Sequence, residues 1–145
     1  MSASVPQVTQ SRVIYAPIAK VWATLRSCDF KFWKLVDKVE LKNGSDSEVG
    51  ASRIVHFKDG MKQEFKIVEI SDLKHSIAFE VIDSEPAMHV MSVLHTLKVR
   101  SVTHDDSSYV EWSSEFSTDA DQQVIQDSRF KKIDGLKDLS EFVKA

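Results

Sequence analysis

Two histidines, His89 and His95, lie six residues apart in a run that reads as one long strand, Met88 to Val102. Side chains alternate along a strand, so His89, Met91, Val93, His95, Leu97 and Val99 share one mostly apolar face. Ser92, Thr96, Lys98 and Arg100 occupy the other, which suits solvent. An imidazole on the apolar face could act as a general base in a cyclisation or dehydration, although a histidine so placed is more often structural. One metal ion cannot join the pair, because six strand residues span about 20 Å and metal–nitrogen bonds are only about 2 Å long. The lone Cys28 excludes an internal disulfide and has no base beside it in sequence, so it reads as inert packing. There is no G-x-S-x-G elbow and no phosphate-binding glycine loop. Neither a metal nor a cofactor is expected.

The elements that would hold these residues follow from periodicity. Gln7 to Tyr15 reads as a strand. Pro17 then opens a helix, with Ile18, Val21, Trp22 and Leu25 as its apolar stripe. A short second helix is predicted over Asp29 to Leu35, carrying Phe30, Phe32 and Trp33. From Val36 the period becomes two, with Val39 and Leu41 between charged neighbours and a turn at Asn43-Gly44-Ser45-Asp46. Gly50 to Lys58, Met61 to Ser71 and Ser76 to Asp83 continue as strands, the first two joined by an Asp59-Gly60 hairpin whose turn positions both call for positive φ. The long strand follows a loop at Ser84-Glu85-Pro86, and Tyr109 to Phe116 is the last strand. There Val110, Trp112, Ser114 and Phe116 oppose Glu111, Ser113 and Glu115. Likewise Ile77, Phe79 and Val81 oppose Glu80. Thr118 and Asp121 have capping-box spacing, ahead of a helix over about Ala120 to Lys144 with Val124, Phe130, Ile133, Leu136, Leu139 and Val143 at helical intervals. Gly135 inside it costs about 1 kcal/mol against alanine, which implies close packing.

The 145 residues suit one domain, 1–145, with about residues 1–7 as a flexible N-terminus. Apolar residues are 42%, charged residues 28% and net charge is −3. That balance argues against a nucleic-acid surface. No stretch approaches the roughly 20 apolar residues of a membrane span, and no secretory signal is visible, so a cytoplasmic location is expected. Six consecutive strands joined by short turns pair as an antiparallel meander. A sheet that long curls, and only the last helix is large enough to cover its concave face.

Several spaced motifs carry a family resemblance: Ala16-Pro17 with Val21-Trp22 and Leu25-Arg26, Val49 to Arg53, Asp59-Gly60, Ile67 to Ile70, Val110-Glu111-Trp112 with Phe116, and Gly135-Leu136 with Leu139. From about residue 8 onward the chain resembles the polyketide cyclase/dehydrase branch of the START-like superfamily, the fold of birch-pollen-type allergens and abscisic acid receptors. The resemblance implies an α+β helix-grip fold: a seven-stranded curved antiparallel sheet wrapped around a long C-terminal helix, with two short helices after the first strand. It also implies that Arg53, Val55, Phe57, Phe65 and Ile67 point inward. Related enzymes set a strand arginine against a glutamate and a tyrosine. Arg53 matches the arginine, but Phe65 and Met91 fall at the other two positions and neither moves a proton. Glu64 would face outward unless a bulge shifts the register.

The expected function is therefore binding or carriage of a small hydrophobic ligand such as a lipid, polyketide or hormone-like molecule. Its wall would comprise Arg53, Val55, Phe57, Phe65, Ile67, Phe79, Val81, His89, Met91, Val93, His95, Trp112 and Ser114. Asp59, Gly60, Glu85 and Pro86 would form the mouth loops, with Arg53 meeting an acidic or carbonyl group. One alternative is a cyclase or dehydratase using His89 or His95. Another is an adaptor with a collapsed cavity, presenting Phe30, Phe32 and Trp33 to a protein partner.

Overall fold

Seven stretches of alternating or continuous apolar residues form strands: β1 (Gln7–Ile14), β2 (Val36–Asn43), β3 (Ser52–Phe57), β4 (Lys62–Ser71), β5 (Ser76–Glu85), β6 (Val93–Val102) and β7 (Ser107–Phe116). α1 (Ile18–Arg26) follows β1, and α2 (Gln122–Lys144) closes the chain. The structure is a computed structural model describing residues 6–45 and 47–144. Residues 1–5 of the expected flexible N-terminus, and Asp46 of the expected turn, lie outside the described residues. All strand pairs are antiparallel, in the order β1-β7-β6-β5-β4-β3-β2. This is the expected meander, with β1 returning to pair with β7. Its concave face carries the core, and α2 lies across it. No described helix is long and apolar enough to cross a membrane.

The second short helix is absent. Residues 27–35 form a string of turns, and Cys28 (φ 52°) and Phe30 (φ 53°) are both left-handed. A right-handed helix cannot run through such residues. The aromatic content misled, because its purpose is tertiary: Phe30, Phe32 and Trp33 are all buried. Phe30 packs edge-on against Phe65 and Phe79, with centroids 5.6 and 5.5 Å away. These three rings are thus core, not a surface offered to a partner.

The long strand from Met88 is also corrected. β6 begins at Val93, and residues 86–92 form a loop. Its end is tied down where Met91 N donates to Asp119 Oδ2 (3.0 Å) and Ser92 N to Ser117 Oγ (3.0 Å). Alternation fails outside the strand, so Met91 is 86% exposed while Val90 is buried.

Three local details differ as well. At the β3–β4 hairpin only Gly60 takes positive φ (94°). Gly60 N donates to Phe57 O, Phe57 N to Met61 O, and the Asp59 carboxylate accepts from Met61 N (2.9 Å). That is a type I turn closed by a left-handed glycine rather than a two-residue turn. The cap of α2 is Asp121, whose Oδ1 accepts from Val124 N (2.9 Å), so the helix starts three residues later than a Thr118 cap requires. Along α2, Phe130 and Ile133 are exposed, and the inward face is Ser128, Lys132, Gly135, Leu136, Leu139, Ser140 and Val143.

Candidate functional site

The C-terminal half of α2 buries a largely apolar face, Gly135, Leu136, Leu139 and Val143 with Ser140, and closes tightly on Trp112 and Trp33. A Cβ placed on Gly135 would lie 2.5 Å from Trp112 Cζ3 and 3.3 Å from Trp33 Nε1. Glycine is therefore required by contact with the indole. Toward its N-terminus α2 presents Val124, Ser128 and Lys132 instead, and there the helix stands off the sheet. The space between is a cavity of about 210 Å³. Phe57, Phe65, Phe79, Val81, Val93, Trp112 and Phe116 form its sheet wall, Trp33 its floor, and Pro86–Val90 one side. Exposed Pro86, Ala87, His89 and Asp127 mark its mouth.

Polar groups on this wall are few. His95 Nδ1 and Ser114 Oγ share a hydrogen bond of 2.6 Å, and the imidazole packs against Phe79 at 5.3 Å. Burial, and then the Lys132 and Lys131 cations, push the His95 pKa down to about 3. Its neutral form is a feeble base, too weak to accept a proton near neutral pH. Lys132 is 3% exposed. Its ammonium donates to Ser128 Oγ (2.6 Å) and stands 5.7 Å from the Trp112 ring centroid. Burial above all, and then Lys131, lower its pKa to about 7, against a raising contribution from Asp127. Trp112 Nε1 is buried with no acceptor among the described residues.

The cavity gathers the expected Phe57, Phe65, Phe79, Val81, His89, Val93, His95 and Trp112, with Pro86 at its mouth. Ser114 is reached through His95. Val55 and Ile67 are fully buried, but as core beyond the wall. Asp59 and Gly60 stand back from the wall, which Met61 joins instead, and Glu85 gives way to Pro86. Met91 points to solvent because its strand parity never existed.

Arg53 is buried yet does not line the cavity. Its Nη1 donates to the carbonyls of Ser27 and Cys28, each at 3.1 Å, so the guanidinium holds the left-handed turn that delivers Phe30 to the core. The register between β4 and β5 does shift between Glu64 and Phe65, but the extra residue is Ile82 of β5, and Glu64 and Phe65 stay in unbroken register with β3. Glu64 is buried, but it pairs with Lys42 Nζ at 2.7 Å, away from the cavity. The Cys28 thiol is pushed up to about 12 by its burial, against the pull of Arg53, and stays protonated.

Sequence reasoning missed Lys132 and Ser128. The signal was available: Val124 and Leu136 both belong to the apolar set at helical intervals, and the row joining them at intervals of four passes through 128 and 132. Charge and polarity hid what spacing would have shown.

A curved seven-stranded antiparallel sheet gripping a C-terminal helix, with a hollow between them, defines a START-like helix-grip domain. Residues 5–133 match the family model described as polyketide cyclase/dehydrase and lipid transport, and the chain belongs to that family. Solved structures agree on the fold. A protein of Nitrosospira multiformis superposes with a TM-score of 0.81 at 24% identity, covering 94% of both chains. XoxI of Bacillus cereus gives 0.82 at 21% identity, again covering 94% of both. Ara h 8.0201, a Bet v 1-like allergen, gives 0.77 at 18% identity, covering 97% of this chain and 98% of its own. No curated protein sequence matches the chain.

Proposed function

We propose that this protein binds and carries one small hydrophobic molecule in the cavity between the sheet and the N-terminal half of α2. The observation that carries the reading is the hollow itself, about 210 Å³ with aromatic and aliphatic walls. A dry apolar cavity of about 150 Å³ is enough to hold benzene, so the fit is to a single ring or a short branched chain. Lipid transport in the family description supports the same class of ligand. Burying on the order of 200 Å² of ligand at about 25 cal/mol per Å² contributes about 5 kcal/mol before the costs of association. An unsubstituted ring is therefore expected to bind no more tightly than about 0.2 mM.

Turnover is the weaker reading. The catalytic relatives' glutamate position holds Phe65, their tyrosine position holds an exposed Met91, Glu64 is engaged by Lys42, and the neutral His95 is a poor base.

Toluene titrated into protein with labelled valine methyls should shift Val81, Val93 and Val124 saturably. Val124→Trp, which fills the hollow from a half-buried position, should abolish those shifts while leaving the circular dichroism spectrum unchanged. Native mass spectrometry of protein as purified should show a retained small molecule. If folded wild-type protein gives no saturable shift with toluene, the carrier reading fails.

A further inference from the structure

We propose that the cavity's natural occupant is a small apolar carboxylic acid, about one ring in size, whose carboxylate is held by Lys132; the inference rests on the cavity being a ligand site. Lysine is almost never fully buried without a partner. Lys132 is 3% exposed and has one hydroxyl acceptor, Ser128 Oγ, for its three donors. Among the described residues no carboxylate lies within ion-pair distance of it. Asp127 is taken by Lys131 at 2.9 Å, with its own side chain mostly in solvent. Trp112, which lines the same cavity, carries a buried N–H with no acceptor among the described residues. The wall is thus short of acceptors, and what it lacks is an anionic oxygen pair.

The surroundings favour the same occupant. From β6, His95 faces the cavity as a neutral imidazole. From β4 comes the uncharged Gln63, from the 86–90 loop the exposed His89, and from α2 Lys131 and Asp127, which pair with each other. No unpaired described carboxylate on the wall would repel an acid. Desolvation leaves the empty site's amine readily deprotonated at neutral pH. An arriving carboxylate supplies the opposite charge and draws the proton back onto Nζ. Arg53, the cation expected to meet an acidic group, is turned to the Ser27 and Cys28 carbonyls away from the cavity. The anchor therefore sits on the helix rather than on the sheet.

The test compares benzoate, its neutral analogue benzamide and toluene, each titrated into full-length protein at pH 6.5 by methyl NMR. Benzoate should bind wild type at least tenfold more tightly than benzamide. Lys132→Met should lose that tenfold advantage, and Lys132→Gln, which keeps a polar group, should lose it too. Toluene should still bind all three proteins saturably, which shows that the cavity survives each substitution. The Lys132 side-chain resonance, followed against pH, should titrate at least one unit higher with benzoate bound, and benzoate affinity should fall as pH rises from the free-protein value of about 7 to the bound value and level off above it. If toluene binds but benzoate does no better than benzamide, or keeps its advantage in both variants, the acid assignment is overturned while the cavity stands. If toluene does not bind either, the ligand-site reading falls and takes this inference with it.

Discussion

Arg53 shows how a residue read as a ligand contact can instead be structural. Its two hydrogen bonds to the Ser27 and Cys28 carbonyls hold a segment containing two left-handed, non-glycine residues. Such conformations cost of order 1–3 kcal/mol each and persist only where the surroundings impose them. Hydrogen bonds from charged donors are worth about 1.5–3 kcal/mol apiece. Arg53→Met should therefore destabilise the protein by about 2–4 kcal/mol in denaturant unfolding. It should also perturb the Phe30 ring resonances, because that ring is seated by the same turn. An arginine acting on a ligand would instead leave apo stability nearly unchanged on replacement. That Arg53 is inward was legible from the resemblance. Its partners were not, since backbone carbonyls 25 and 26 residues away leave no trace in side-chain pattern.

At the scale of the element, α2 divides into two halves with different duties. Leu136, Leu139 and Val143 bury against the sheet, while Ser128 and Lys132 face the hollow. Gly135 is the hinge of contact between the two regimes. Alanine there gains about 1 kcal/mol of helix propensity but drives a methyl into the edge of Trp112. That ring is buried and flanked by Trp33 at 5.0 Å, so it has little room to yield. Overpacking of this kind costs about 1–3 kcal/mol. Gly135→Ala should lower the melting temperature despite the better helix former, and it should weaken toluene binding because Trp112 is a cavity wall. A rise in melting temperature would show that the helix can shift away from the indole. The glycine itself raised the expectation of close packing; the indole that demands it stands on a strand more than twenty residues upstream.

Across the whole molecule, stability should track the protonation of two buried bases. Lys132 titrates about 7 in the fold and about 10.4 in the unfolded chain. Its neutral form is favoured by folding, so this contribution is complete above about pH 10, falls as pH drops, and is gone below about pH 7. His95, at about 3 in the fold against about 6.5 unfolded, behaves the same way between about pH 6.5 and 3. Within each window the slope is at most about 1.4 kcal/mol per pH unit. The stability difference between Lys132→Met and wild type, followed by denaturant unfolding, should therefore grow from pH 10 to 7 and then level off. A difference independent of pH would mean that the lysine reaches water. By itself the sequence determined the order of the seven strands, of the helix after the first and of the terminal helix, the meander, and the faces of the residues that lie within the strands. Local periodicity sets those, and seven strands with one terminal helix leave a single way to cover the concave face. Only the tertiary structure decided that Phe30 turns inward through left-handed backbone, that residues 86–92 leave the sheet, and that Lys132 rather than Arg53 faces the cavity. Each of those depends on contacts between segments far apart in the chain, whose free energies outweigh the local preferences that sequence spacing records.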